Sequence, residues 1–163
     1  GLAAAVCAHL WEQLGAKRPR FVIVEPDKAA CLFESAKQGK PVAVHGELDT
    51  VMAGLACGEV SLLAWEILKP GAQAFLTIDD ESALEAMRIL ADGRFGDAPI
   101  VAGESAVAGL VGALAAAGDA ELRKQLDLNE SSRVLVFGSE GATDPELYQR
   151  IVGKPAEAIK VAA

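Results

Sequence analysis

Aromatic side chains are scarce in this chain: Phe, Trp and Tyr together make up 5% of 163 residues. With 52% of residues hydrophobic, the core must be built mainly from Ala, Val, Leu and Ile, which favours close helix-to-sheet packing over aromatic clusters. Cysteine and histidine are also few, at three and two residues, and without CxxC or HxxxH spacing a zinc site finds no support. Positive charge is short too. Fifteen Lys and Arg against 23 Asp and Glu leave a net charge of −8, which argues against nonspecific nucleic-acid binding, a process that needs a cationic surface to displace counterions. The one dense basic cluster, Lys17, Arg18 and Arg20, reads as a solvated turn. No apolar run approaches the ~20 residues that span a bilayer. The apolar opening at 1–6 lacks the basic flank of a signal peptide. Neither GxGxxG nor a P-loop occurs.

What is present is a chain long enough for one domain with a proper core, and a mean hydropathy of +0.27 excludes a disordered polymer. Strand-like apolar segments alternate with helical ones, the pattern of an α/β fold with a mostly parallel sheet flanked by helices. The reading predicts helices at 2–14, 27–38, 50–57, 62–68, 80–91, 106–117 and 145–152, with a short one after Asp119. It predicts strands at 21–25, 41–44, 74–78, 99–102 and 133–137, of which RVLVF at 133–137 is the clearest. Asp27 and Asp79 or Asp80 suit N-caps, Gly39 suits a helix stop, and Asp144-Pro145 opens the last helix. From Gly153 onward the tail reads as loose. No internal repeat or linker is evident, so 1–163 reads as a single α/β domain.

In open parallel sheets ligands sit beyond the carboxyl ends of strands, where Gly-rich turns bring N–H groups to a helix start. Three turns fit that description: at Gly46, at Gly103-Glu104-Ser105 and at Gly138 to Gly141. Glu104 could equally cap the helix after it. Asp49 and Thr50 could line a substrate entrance or cap a helix beginning near Val51, and capping is the simpler reading. Cys7, in an apolar helix, reads as core, and Cys31 and Cys57 as small buried hydrophobes kept reduced.

The stretch His45 to Leu68, HGELDTVMAGLACGEVSLLAWEIL, resembles a segment of diaminopropionate ammonia-lyases, pyridoxal-phosphate enzymes of fold type II. IVAGES at 100–105 is similar to that family's IVSGESG turn, with Ala106 in place of a Gly. VLVFGSEGATD at 134–144 is similar to its VLFFSTEGDTD stretch, with Gly138 and Ala142 replacing a Ser and an Asp. Gly1-Leu2-Ala3 looks like the end of its GVGGLA phosphate loop, and ELDT at 47–50 matches a DLDT-like motif.

The resemblance implies a fold like the pyridoxal-phosphate domain of the tryptophan synthase β-like class. It implies pyridoxal 5'-phosphate as cofactor, bound by Gly1, Gly103, Glu104, Ser105 and Ser139, with Asp49 and Thr50 on the substrate side. Ser139 would hydrogen-bond the pyridine nitrogen; a neutral hydroxyl suits elimination chemistry that needs a limited electron sink. Relatives also carry cysteine at Cys31 and Cys57, so a disulfide between them is a candidate. None of the eight lysines lies in the family's aromatic-Lys context, so the catalytic lysine is expected upstream of residue 1. With Gly rather than Met first, composition leaves open a processed start or a piece of a longer protein. The resemblance favours the C-terminal portion of a lyase, inactive by itself. The implied reaction is α,β-elimination of 2,3-diaminopropionate to pyruvate and ammonia by a cytoplasmic homodimer acting on a small amino acid. Serine or threonine dehydratase chemistry is the first alternative, and a noncatalytic α/β module the alternative of another class.

Overall fold

The structure, a computed structural model, describes residues 1–160. Helix α1 (Leu2–Leu14) is Ala-rich and ends at Gly15, whose φ of 54° stops the helix. Strand β1 (Val22–Pro26) follows, then α2 (Cys31–Gln38), closed by left-handed Gly39, and α3 (Leu62–Gly71), which carries Pro70 in its last turn. Strand β2 (Ala74–Ile78) leads into α4 (Asp80–Asp92), with Asp79 as N-cap accepting the Ser82 N–H. The remaining helices are α5 (Ala108–Gly118), α6 (Ala120–Leu126), capped by Asp119, and α7 (Pro145–Val152), capped by Asp144.

β1 and β2 pair in parallel, Val22 opposite Ala74 through Pro26 opposite Ile78. Because side chains alternate across a strand, the two faces of this small sheet feed two separate cores. Ile23 and Phe75 join Ala4, Cys7, Ala64 and Leu68 on the side of α1 and α3. Val24 and Ile78 join Met52, Met87, Val107, Val111 and Tyr148 on the side of α4, α5 and α7. The expected close packing is present on both sides. A Cβ on Gly112 of α5 would lie 2.5 Å from Val24, and one on Gly71 would lie 2.5 Å from the Cys7 sulfur. The basic cluster is less idle than expected, since Arg18 stacks 4.4 Å over Trp11 and donates to the Gly71 carbonyl.

Several expected elements do not form. Among the described residues the sheet has two strands, and 41–44, 99–102 and 133–137 are not strands. RVLVF is exposed on both faces, with Leu135 at 72%, and makes no hydrogen bond among the described residues. An apolar run becomes a strand only when a neighbour completes its ladder, and among the described residues none lies beside it. The 50–57 helix is reduced to a single 3₁₀ turn, Ala53–Leu55. Asp27 caps no α-helix. It opens a 3₁₀ turn, while the Glu25 carboxylate takes the N–H groups of Leu32 and Phe33 at 3.0 and 2.8 Å. The tail is also more ordered than expected: Ala156–Ala158 forms a 3₁₀ turn and Ile159 enters the core. Residues 161–163 lie outside the described residues.

Candidate functional site

The turn at 103–105 is built by its neighbours. Gly103 donates its N–H to the Glu140 carbonyl at 3.1 Å, and Ser105 donates its N–H to Glu140 Oε2 at 2.9 Å. Thr143 Oγ1 steadies the other carboxylate oxygen, Oε1, at 3.2 Å. Gly103 is required here, because a Cβ would stand 2.4 Å from the Gly141 carbonyl, a wall of backbone that cannot yield. From the other side, Gly54 donates its N–H to Ser105 Oγ at 2.9 Å. Three chain segments, 53–55, 103–106 and 138–143, therefore meet at Ser105.

Glu104 is 8% exposed, and no other residue among those described hydrogen-bonds its carboxyl. Burial raises its pKa, its own N–H partly offsets this, and the carboxylates of Glu140 and Asp144 raise it further. Ser139 is exposed beside this cluster and its hydroxyl makes no hydrogen bond among the described residues. Thus Gly103, Glu104 and Ser105 share one site with the turn that carries Ser139. Both the N–H and the Oγ of Ser105 are already engaged within the protein. Glu140 and Gly54 escaped the sequence reading, because an acid inside a Gly-rich turn and a Gly in an apolar loop carry no distinctive pattern.

Asp49 and Thr50 part company. Asp49 is exposed, whereas Thr50 is buried and donates its hydroxyl to Asp80 Oδ1. Thr50 Oγ1 also accepts the Met52 N–H at 3.2 Å, so it supports a local turn and caps no α-helix. Lys28 Nζ meets Asp80 Oδ2 at 2.8 Å. Partial burial opposes ionisation of Asp80, but the hydrogen bonds from Lys28, Thr50 and the Val51 N–H outweigh it and hold the carboxyl below its usual range. In the same ELDT turn Leu48 has φ 45°, an uncommon conformation for a branched side chain.

Cys31 and Cys57 are free thiols in this structure. Cys31 is buried at the start of α2, 3.7 Å from Glu25 Oε1. Burial pushes its thiol up to about 12, with further contributions from the Glu25 carboxylate and the nearby Cys57 sulfur. Cys57 is exposed and reaches the Glu59 carbonyl at 3.0 Å, which corrects its expected burial. Gly1 lies at the start of the chain's first helix, as the N-cap of α1. Lys28, Lys37, Lys69 and Lys154 bond to Asp80, Glu34, the Gly39 carbonyl and Asp92; Lys17, Lys40, Lys124 and Lys160 are exposed. Among the described residues no group of three or more His, Cys, Asp or Glu could hold a metal, and no helix is long and apolar enough to cross a membrane.

A buried carboxyl, that of Glu104, and an exposed hydroxyl, that of Ser139, thus lie in adjoining turns. Residues 1–140 match the family model for pyridoxal-phosphate dependent enzymes, and the chain belongs to that family. It is a homologue of diaminopropionate ammonia-lyases. It is 38% identical over 162 residues to that enzyme from Escherichia coli (strain K12), an alignment covering 97% of this chain and 40% of the relative. The fold agrees. The crystal structure of the selenomethionine-incorporated holo E. coli enzyme superposes with a TM-score of 0.82 at 37% identity, covering 93% of this chain and 38% of that one. The same enzyme in complex with D-serine gives 0.81 at 36% identity, covering 96% and 40%. This chain thus spans about two fifths of the length of the relatives it matches.

Proposed function

We propose that this chain is part of a pyridoxal-phosphate-dependent ammonia-lyase that eliminates ammonia from 2,3-diaminopropionate, giving pyruvate and a second ammonia. The observation that carries this reading is the 38% identity to diaminopropionate ammonia-lyase along 97% of the chain. Bound pyridoxal phosphate would supply an electron sink for the charge left on the α-carbon when its proton departs. In this reading Ser139 donates its hydroxyl to the pyridine nitrogen, and the N–H groups after Gly1 at the start of α1 receive the phosphate. Gly103 lets the 103–105 turn lie flat against its neighbour, with Glu104 presenting a buried carboxyl. Asp49, exposed next to anchored Thr50, stands on the substrate side.

The positions of the eight lysines support assigning the cofactor lysine to the portion of the lyase outside this chain. The chain alone is then inactive. The reading also carries a homodimer acting on free amino acids in the cytoplasm. The test is pyruvate release by the full-length gene product from 2,3-diaminopropionate, with L-serine, D-serine and L-threonine in parallel. Preference for diaminopropionate supports the assignment. Turnover of serine or threonine alone moves the substrate while keeping the chemistry. Absence of both bound cofactor and turnover would overturn the proposal in favour of a noncatalytic module.

A further inference from the structure

We infer that Glu140 is a positioning residue: it fastens the 103–105 turn to the 138–143 turn and thereby sets where the Glu104 carboxyl stands. The inference rests on the lyase reading above and deepens it. Glu140 attaches at two points, its carbonyl to the Gly103 N–H and its carboxylate to the Ser105 N–H, so the residue between, Glu104, is held from both sides. Two attachments flanking one residue fix its backbone where a single bond would leave a pivot. The fit is close, since a Cβ on Gly103 would come within 2.7 Å of the Glu140 Cγ as well as striking Gly141.

The same bonds decide what the turn has left to offer. The Ser105 N–H is spent on Glu140 and its Oγ accepts the Gly54 N–H, so Ser105 acts as a structural junction with only its hydroxyl proton left to donate. The Glu104 carboxyl is the polar side chain of this turn that stays without such a partner among the described residues. Glu140 itself cannot serve a ligand freely, because Oε2 faces Ser105 and Oε1 faces Thr143. Its role is therefore to hold, with the carboxylate acting as a hydrogen-bond acceptor for the Ser105 N–H, while its charge enters only by raising the pKa of the Glu104 carboxyl.

That distinction is what the experiment reads, in the full-length lyase loaded with pyridoxal phosphate. Glu140→Gln keeps an acceptor for the Ser105 N–H and can donate to Thr143 Oγ1, whereas Glu140→Ala removes both contacts and leaves only the main-chain bond. Misplacing a site group by about 1 Å can cost on the order of 100-fold. Glu140→Ala should accordingly lower kcat by about 10- to 100-fold and shift the cofactor's absorption band, with KM changed by less than about threefold. Glu140→Gln should restore both kcat and spectrum. Hydrogen exchange at Gly103 to Ala106 gives a readout independent of turnover: faster in the Ala variant, unchanged in the Gln variant. Should Glu140→Ala fail to fold, Glu140→Asp, one methylene too short to reach the Ser105 N–H, takes its place. Wild-type kcat and spectrum in the Ala or Asp variant would overturn the inference, as would a Gln variant as damaged as the Ala one. Unaltered exchange in the Ala or Asp variant would overturn it too. If the wild-type protein binds no cofactor yet exchange responds as expected, the clamp stands and the lyase reading fails.

Discussion

Replacing Gly112 by Ala tests how tightly α5, the helix that follows the Glu104 turn, is laid against the sheet. Two effects oppose each other. Ala in a helix interior is favoured over Gly by about 1 kcal/mol. The new Cβ, however, would lie 2.5, 3.2 and 3.4 Å from the Cγ2, Cγ1 and Cβ of Val24. A β-branched side chain in a strand cannot swing all three atoms away, and forcing an extra methyl into a filled core costs about 1–3 kcal/mol. The net is then about 0–2 kcal/mol of destabilisation. Gly118, at the end of the same helix, is the internal control, since a Cβ there meets nothing within 4 Å. The propensity gain is shared in kind, so the difference between the two variants isolates the collision with Val24. With a urea slope of about 2 kcal/mol/M, the midpoint of Gly112→Ala should fall about 0.5–1.5 M below that of Gly118→Ala. Equal midpoints would refute close packing of α5 on β1, and with it the view that small side chains set this interface.

Thr50→Val should cost about 1–3 kcal/mol in thermal melts, because the Asp80 carboxylate and the Met52 N–H both lose a partner, and Thr50→Ser should recover most of it. A serine variant no better than valine would argue against the hydroxyl as the anchor. With a thiol reagent at pH 8, exposed Cys57 should label first, while Cys31, buried and pushed up to about 12, waits for unfolding. If the two pair under mild oxidation, as the family resemblance suggests, intact mass drops by two hydrogens and labelling of both is lost; an unchanged mass leaves them free. Burial raises the Glu25 carboxyl above its ordinary 4.5 in spite of the Leu32 and Phe33 N–H groups and the Cys31 thiol. A raised folded-state value favours the protonated native form, so this contribution is full below pH 4.5 and lost as pH rises through the folded value. Glu25→Gln should flatten that part of the stability profile in urea melts at stepped pH, and parallel slopes would contradict the assignment.

Local signals were legible where the chain closes its own bonds. β2 lies where the apolar run placed it, β1 is offset by one residue from its expected start and end, and α7 begins at Asp144-Pro145. The cap of α4 was readable for the same reason, since Asp79 needs only the N–H three residues on. RVLVF misled because its apolar, β-branched composition states a preference that only a neighbouring strand can realise. At the site, the Gly103-Glu104-Ser105 turn was readable from its glycine and its place before a helix. Glu140 and Asp80 were not, because each acts across 30 residues or more, on Ser105 and Thr50, and spacing along the chain carries no mark of such a pair.

The sequence by itself determined the α/β class, the acidic surface, most helix limits and, through its resemblance, the pyridoxal-phosphate family, since these follow from composition, periodicity and local motifs. Tertiary structure alone decided which of those motifs share a site. It joined Ser105 to Glu140 and Gly54, sent Thr50 to Asp80, and left Glu104 buried without another residue hydrogen-bonded to its carboxyl among the described residues. The physical reason is that a hydrogen bond or a burial cost depends on distance in space, and only packing of the helices on both faces of the sheet sets those distances.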